Sequence, residues 1–254
     1  MNELLFFFLV AVLAACNNDN KPSEATASET KTAKSEVKPT SAKLDCSSFL
    51  LFKKGTVLEY NTTGGAGRTV AAVTTTTIDD VRQDGNALVA DYTSSFKDKK
   101  IKSTYRCEGD ELSVDMKSLF QDLFSGMKER AGVEIEVKDG YLSYPFSLKE
   151  GDDLRDADFV LTSRQDGKEV MSMRSQIKNR KVVGAEKITT PSGTWDCLKV
   201  SETRVVTMSM MGKEMPGKEL KTTVWFAAGA GLVKTDTYDE KGELMNSTEL
   251  QSIK

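Results

Sequence analysis

The chain has 254 residues, a nearly balanced charge of −3 at pH 7 and no histidine. The absence of histidine excludes Ser–His and Cys–His catalysis and the usual imidazole metal sites. The sequence has no basic face and does not interleave aromatic residues with arginine, so it lacks the features that are typical of nucleic-acid binding. We therefore expect a protein that is not an enzyme, has no metal site and needs no cofactor.

An apolar run, "LLFFFLVAVLAA", occupies residues 4–15 and ends at Cys16. It is too short to span a bilayer as a helix, which needs roughly 20 apolar residues, so residues 1–15 are interpreted as a signal peptide. Leu13-Ala14-Ala15-Cys16 resembles a bacterial lipobox, which predicts acylation of Cys16. The residue after Cys16 is Asn17, whereas an Asp at this position would resemble an inner-membrane retention signal. We therefore expect the protein to be located in the outer membrane. The alternatives are an uncleaved short anchor and an ordinary signal cut at Ala-x-Ala.

Residues 16–45 contain the acylated cysteine and a polar tract with almost no large apolar side chain. Such a segment cannot bury enough apolar surface to offset its chain entropy. We interpret it as a disordered tether, and a flexible coil of this length spans roughly 30 Å.

Residues 46–254 show strand periodicity nearly throughout and have the length of a single all-β domain. One face of "ALVADYTSSF" contains Leu88, Ala90, Tyr92, Ser94 and Phe96, and one face of "KIKSTYRC" contains Ile101, Ser103, Tyr105 and Cys107. Turns are predicted where Gly permits positive φ, at Asp84-Gly85, Asp139-Gly140, Asp166-Gly167 and Lys241-Gly242.

One segment, "DMKSLFQDLFSGMKERAG", has helical spacing instead. Asp115 is the predicted N-cap and Gly132 the predicted C-terminal stop. The apolar stripe of this helix consists of Met116, Leu119, Phe120, Leu123, Phe124 and Met127. We predict a β-rich domain in which a curved antiparallel meander, or an open half-barrel, has this amphipathic helix packed on it.

Three cysteines remain after Cys16, in a compartment that permits disulfides. Cys46 begins the folded region and Cys107 ends a strand, so we predict that these two pair, although other pairings are open. Cys197 is then the remaining thiol. It follows the Pro191-Ser192-Gly193 turn in an alternating strand, which favours a buried small hydrophobe over a reactive nucleophile.

Methionines recur on two predicted strands, at Met171 and Met173 and at Met208, Met210 and Met211, with Met215 nearby. Such clusters resemble the thioether sites that hold Cu(I), but alternating methionine is more typical of an adaptable apolar lining. We predict an apolar ligand pocket. Its predicted residues are Phe120, Phe124, Met171, Met173, Met208 and Met210.

Three stretches together resemble the TapB family of bacterial lipoproteins. They are "YRCEGDELSVDMKSL" (105–119), "NRKVVGAEKITTPSGTWDCLKV" (179–200) and "VWFAAGAGLVKTDTYDEKGEL" (224–244). The resemblance implies an outer-membrane-type lipoprotein with a β-rich domain, similar in shape to lipoprotein-carrier half-barrels. It implies no active site, because the family offers none to carry over.

Two functions are compatible with these features. In the first, a lipid-anchored envelope protein binds a lipid or other apolar ligand in a cavity of the curved sheet. In the second, a structural lipoprotein presents its sheet to an envelope protein partner. We favour the first.

Overall fold

The fold is described from a computed structural model, which covers residues 46–65, 69–97, 99–124, 134–138, 140–227 and 229–254. The predicted signal peptide, Cys16 and the tether lie outside these residues, as do Met127 and Gly132 of the predicted helix. The described residues belong to one compact unit, Lys43–Lys254. Within them, no helix has the length and apolar character needed to cross a membrane.

Thirteen strands and one α-helix are present in the described part of the chain. The helix, α1, spans Met116–Leu123, and two short 3-10 turns span Cys46–Ser48 and Leu50–Phe52. The strands are β1 (Val57–Gly64), β2 (Thr69–Asp84), β3 (Ala87–Phe96), β4 (Lys99–Glu108), β5 (Glu111–Asp115), β6 (Glu134–Lys138), β7 (Tyr141–Pro145), β8 (Ala157–Gln165), β9 (Lys168–Thr190), β10 (Gly193–Met210), β11 (Lys213–Ala227), β12 (Gly231–Tyr238) and β13 (Leu244–Ile253).

All strands belong to one sheet in the order β6-β8-β9-β10-β11-β12-β13-β1-β2-β3-β4-β5-β7. Every neighbouring pair is antiparallel. The sheet curves into a nearly closed, barrel-like shape, which confirms the predicted fold class. The two edge strands, β6 and β7, follow one another in the chain.

The predicted faces of β3 and β4 meet in the sheet. Leu88 lies opposite Cys107, Tyr92 opposite Ser103 and Ser94 opposite Ile101. Because partners directly opposite each other point to the same side of a sheet, the two faces form one surface. This surface is turned inward, since its central side chains are buried.

Asp139-Gly140 has a sequence typical of a hairpin, but β6 and β7, the strands on either side of it, do not pair with each other. β6 pairs with β8, and β7 pairs with β5. The carbonyl of Gly140 instead accepts a hydrogen bond from the Met116 amide, 2.8 Å away. A Cβ at position 140 would overlap the Phe159 ring, so the close approach of β8 requires glycine there.

Helix α1 begins as predicted, because the Asp115 carboxylate accepts a hydrogen bond from the Ser118 amide at 3.0 Å. It ends at Leu123, well before the predicted stop at Gly132. Met116, Leu119 and Phe120 are buried. The helix contacts β4, β6, β7 and β8. It therefore touches both edges of the sheet and lies across the seam that the strands leave open.

The segment before β1 packs at another part of the sheet. A disulfide joins Cys46 to Cys107 in β4. The Leu50 amide donates to the Gly229 carbonyl at 2.6 Å. Phe49 is fully buried, with its ring 5.0 Å from Phe146 and 6.4 Å from Phe226. This segment thus contributes aromatic side chains to the core.

Candidate ligand-binding site

The methionines of β9, β10 and β11 are assembled on one face of the sheet. Met208 in β10 lies opposite Met173 in β9 and Met215 in β11. Met210 lies opposite Met171. Since opposite partners share a face, these five side chains form one surface, which we call the methionine surface.

This surface is continuous with the interior of the barrel. Alternate residues of a strand share a face, so β10 has an inner row of Val200, Glu202, Arg204, Val206, Met208 and Met210. Val200 lies opposite the buried Val182 and Val224, which identifies the row as inward-facing. The exposed fraction is 1% at Glu202 and 48% at Met210. The row therefore leads from the core to solvent.

The predicted phenylalanines adjoin the same interior. In β8, Leu161 lies opposite Met173, and Phe159 lies on the same face two residues away. The Phe159 ring is 6.0 Å from that of Phe120 in α1. Phe120 and Phe124 are both buried. The structure thus brings Phe120 into contact with the sheet beside the methionine surface, where it also holds the helix in place.

A buried charged cluster lies at the inner end of the row. The Arg180 Nε donates to Glu202 Oε2 at 3.2 Å, and its Nη1 donates to the Arg155 carbonyl at 2.8 Å. Arg204 donates to Glu202 Oε1 through Nε at 2.9 Å and Nη2 at 2.6 Å. The side chains of Arg180 and Glu202 are completely buried. We call Arg180, Glu202 and Arg204 the Arg–Glu–Arg cluster.

Tyr144 covers this cluster from β7, the far edge of the sheet. Its ring centroid lies 4.8 Å from the Arg180 guanidinium carbon and stacks on Phe226 at 5.3 Å. Burial, with a smaller contribution from the Glu202 charge, raises the pKa of Tyr144 to about 12. Tyr144 is therefore a neutral phenol at physiological pH, with an apolar face toward one arginine.

Arg204 keeps its charge in this environment. Burial alone would lower the pKa of Arg204, but the charge of Glu202 and the hydrogen bonds to it hold that pKa above its ordinary value. By formal charge, the ion-paired cluster has two positive guanidinium groups and one negative carboxylate. Two guanidinium groups share a single carboxylate.

Sequence reasoning missed this cluster because a β-bulge places Arg180 inside. Ile177 faces inward opposite Arg204, so strict alternation predicts that Asn179 is inside and Arg180 outside. Between the pairs Thr203–Lys178 and Ser201–Lys181, however, Asn179 and Arg180 of β9 lie opposite the single residue Glu202 of β10, and Asn179 has φ 55°. The extra residue reverses the alternation. The only local signal was the alternation of Glu202 and Arg204 between valines in β10.

Cys197 is a buried strand residue and the free cysteine of the described domain. It lies opposite Ala227 in β11 and Glu186 in β9. Burial first, and then the charges of Asp196 and Glu186, raise the pKa of its thiol to about 12. A thiol with this pKa is protonated at neutral pH and is a poor nucleophile.

The described residues contain no group of three or more acidic or cysteine side chains arranged to hold a metal ion. Thioether binding of Cu(I) at the methionine surface stays an alternative hypothesis to apolar lining. The gradation of the surface from the buried Met173 to the exposed Met210 and Met215 is typical of an apolar channel wall.

The sequence matches a family model described as DUF3108-like over residues 53–250. No curated protein matches the chain significantly.

Two crystal structures have the same fold. One is a protein described as a lipoprotein from Parabacteroides distasonis, 20% identical, with a TM-score of 0.61. The other is a protein described as exported, with a YmcC-like fold, from Bacteroides fragilis, 20% identical, with a TM-score of 0.57. Each match covers 80% of this chain and 96% of the other. Neither the family description nor these names specify a reaction.

Proposed function

The chain belongs to the DUF3108-like family, and we propose that it is a lipid-anchored protein of the bacterial outer membrane that binds a lipid or other apolar ligand. The ligand lies along the methionine surface, inside the nearly closed sheet. The TapB-like stretches and the names of the two proteins of similar fold support the envelope location.

The anchor is the acylated Cys16 of the lipobox. Each buried methylene of an acyl chain contributes about 0.8 kcal/mol, and two or more chains anchor a protein stably. We expect the Cys16→Ala variant to leave the membrane fraction, since it retains only its polar tether and folded domain. Protein that still sediments with membranes after washing at high salt would contradict the anchor.

The observation that carries ligand binding is the continuity of the β10 inner row. Its apolar outer part, Met208 and Met210, joins the interior to solvent, and neighbouring strands add Met171, Met173 and Met215. Flexible thioether side chains adapt to ligands of irregular shape. A site of this kind suits an acyl chain better than a rigid polar solute.

Native mass spectrometry of residues 17–254, exported without acylation and purified gently from bacteria, tests this function. We expect a co-purifying mass of a lipid that disappears after organic extraction. Met208→Gln places an amide on the inner row and should weaken retention about tenfold, because it removes roughly 1.4 kcal/mol of apolar stabilisation from the bound ligand. Thr207→Gln, on the opposite face of β10, is the matched control and should retain the lipid.

A second candidate, presentation of the sheet to an envelope protein, is favoured by a different observation. Met210, Met211 and Met215 are 48%, 84% and 41% exposed at one end of the sheet. Exposed apolar patches of this kind mark protein contacts as well as ligand entrances. A protein free of lipid in every preparation, with a consistent partner crosslinked through Met211, would favour this candidate and contradict the first.

A further inference from the structure

The Arg–Glu–Arg cluster carries one excess positive charge in the interior. Burying an uncompensated charge is costly, and buried charges are ordinarily paired. Arg180 and Arg204 both hydrogen-bond to Glu202, and Tyr144 beside them is neutral. The cluster therefore attracts a further negative charge.

Two buried polar atoms at the cluster have no hydrogen-bond partner among the described residues. One is Nη2 of Arg180, whose side chain is completely buried, and the other is Oγ1 of Thr222. Thr222 lies directly opposite Glu202 in the β10–β11 register. Six other buried side-chain atoms of the described residues are also unpaired, but these two lie beside an excess positive charge, where an anion would satisfy both. Both atoms are able to donate a hydrogen bond to an oxyanion.

The cluster is also continuous with the methionine surface. Arg204 and Met210 belong to the same inner row, six residues apart, which corresponds to roughly 20 Å of strand. The side chain of Arg204 is 20% exposed, intermediate between that of Glu202 and that of Met210. A long apolar chain with a charged end would fit this row, with the charged end at the cluster and the apolar chain along the methionine surface.

Resting on the function proposed above, we propose that the Arg–Glu–Arg cluster binds the head group of the apolar ligand, and that this head group is a singly charged oxyanion. A fatty-acid carboxylate and a phospholipid phosphodiester share this chemistry. Either would neutralise the excess charge and accept hydrogen bonds from Arg180 and Thr222, because guanidinium groups bind such anions with short, charge-assisted bonds.

Calorimetric titration of delipidated residues 17–254 tests the proposal with three probes that share a lauroyl chain. Laurate has a carboxylate, lauroyl lysophosphatidylglycerol has a phosphodiester, and monolauroylglycerol is uncharged. We expect at least one anion to bind about tenfold or more tightly than monolauroylglycerol. The tighter of the two anions identifies the source of the head group.

Variants locate the effect at the cluster. Arg204→Met removes the excess charge, and we expect the preference for the anion to fall to about twofold or less. Arg204→Lys keeps the charge and should keep most of the preference. Arg174→Met, which removes an exposed arginine paired with Asp158, is the matched control and should bind like the unaltered protein.

The outcomes separate this inference from the proposed function. If monolauroylglycerol binds as tightly as both anions, the head-group site is wrong while the apolar site stands. If none of the three probes binds, both the head-group site and the proposed function are wrong. Should Arg204→Met not fold, two measurements still test the head-group site. They are the relative affinities of the three probes for the unaltered protein and the preference of Arg204→Lys for the anion.

Discussion

The Glu202→Ala variant is expected to lose about 3–5 kcal/mol of its free energy of unfolding, because it leaves the buried Arg180 guanidinium and the mostly buried Arg204 guanidinium without a counter-charge. Glu202 accepts hydrogen bonds from both Arg180 and Arg204, and its side chain is completely buried. Removal of one partner of a buried ion pair is far more costly than removal of an exposed partner. Urea unfolding of residues 17–254 measures the loss.

Asp158→Ala provides the matched control. Asp158 also pairs with an arginine, Arg174, but both side chains are about half exposed. Exposed ion pairs contribute about 0–1 kcal/mol, so this variant should be close to the unaltered protein. A loss below about 1 kcal/mol in Glu202→Ala as well would show that the cluster is solvated and not buried.

A triple variant separates stability from function. Arg180→Met, Glu202→Leu and Arg204→Met together replace the charges with apolar side chains, which is often neutral or stabilising when a whole buried network is replaced. We expect most of the stability to return while the preference for anionic lipids does not. That result would mean that the charges are retained for ligand binding.

The second large effect is expected from the disulfide. A Cys46→Ala/Cys107→Ala variant should lose about 4 kcal/mol of its free energy of unfolding in the chain-entropy model. The bridge closes a loop with a sequence separation of 61 residues, and long loops lose the most entropy when they are closed in the unfolded chain. It also holds the segment that places Phe49 in the core.

Urea unfolding with and without reductant measures this loss. The reduced unaltered protein should unfold like the double variant, since both lack the bridge. Cys197→Ala, which removes a buried thiol that forms no disulfide, is the control and should lose only about 1 kcal/mol. Equal stability of the oxidised protein and the double variant would contradict a stabilising role for the bridge.

Several features of the fold were predictable because they depend on local patterns. Alternation in β3 and β4 predicted which side chains share one face, and the register of the two strands confirms this. Asp115 was predicted as the N-cap of α1 because its carboxylate satisfies an amide of the first turn. Met208 and Met210 were recognised as alternating residues of one strand, which places them on one face.

The pairing of distant strands was not predictable in the same way. Asp139-Gly140 has a hairpin sequence, yet β6 pairs with β8 and β7 pairs with β5, so these two strands lie at opposite ends of the strand order. The bulge at Asn179 reverses the alternation of β9 and turns Arg180 inward. Tyr144 reaches the cluster from the opposite edge.

By itself, the amino-acid sequence determined the strand content, the faces of regular strands, the start of the helix and the shared face of Met208 and Met210, since each is a property of residues within a few positions of one another. Only the tertiary structure decided which faces enclose a common interior and that Arg180, Glu202 and Arg204 meet there with unequal charge. The physical reason is that one extra residue in a strand exchanges its two faces, and that sheet closure brings together strands that are far apart in the chain.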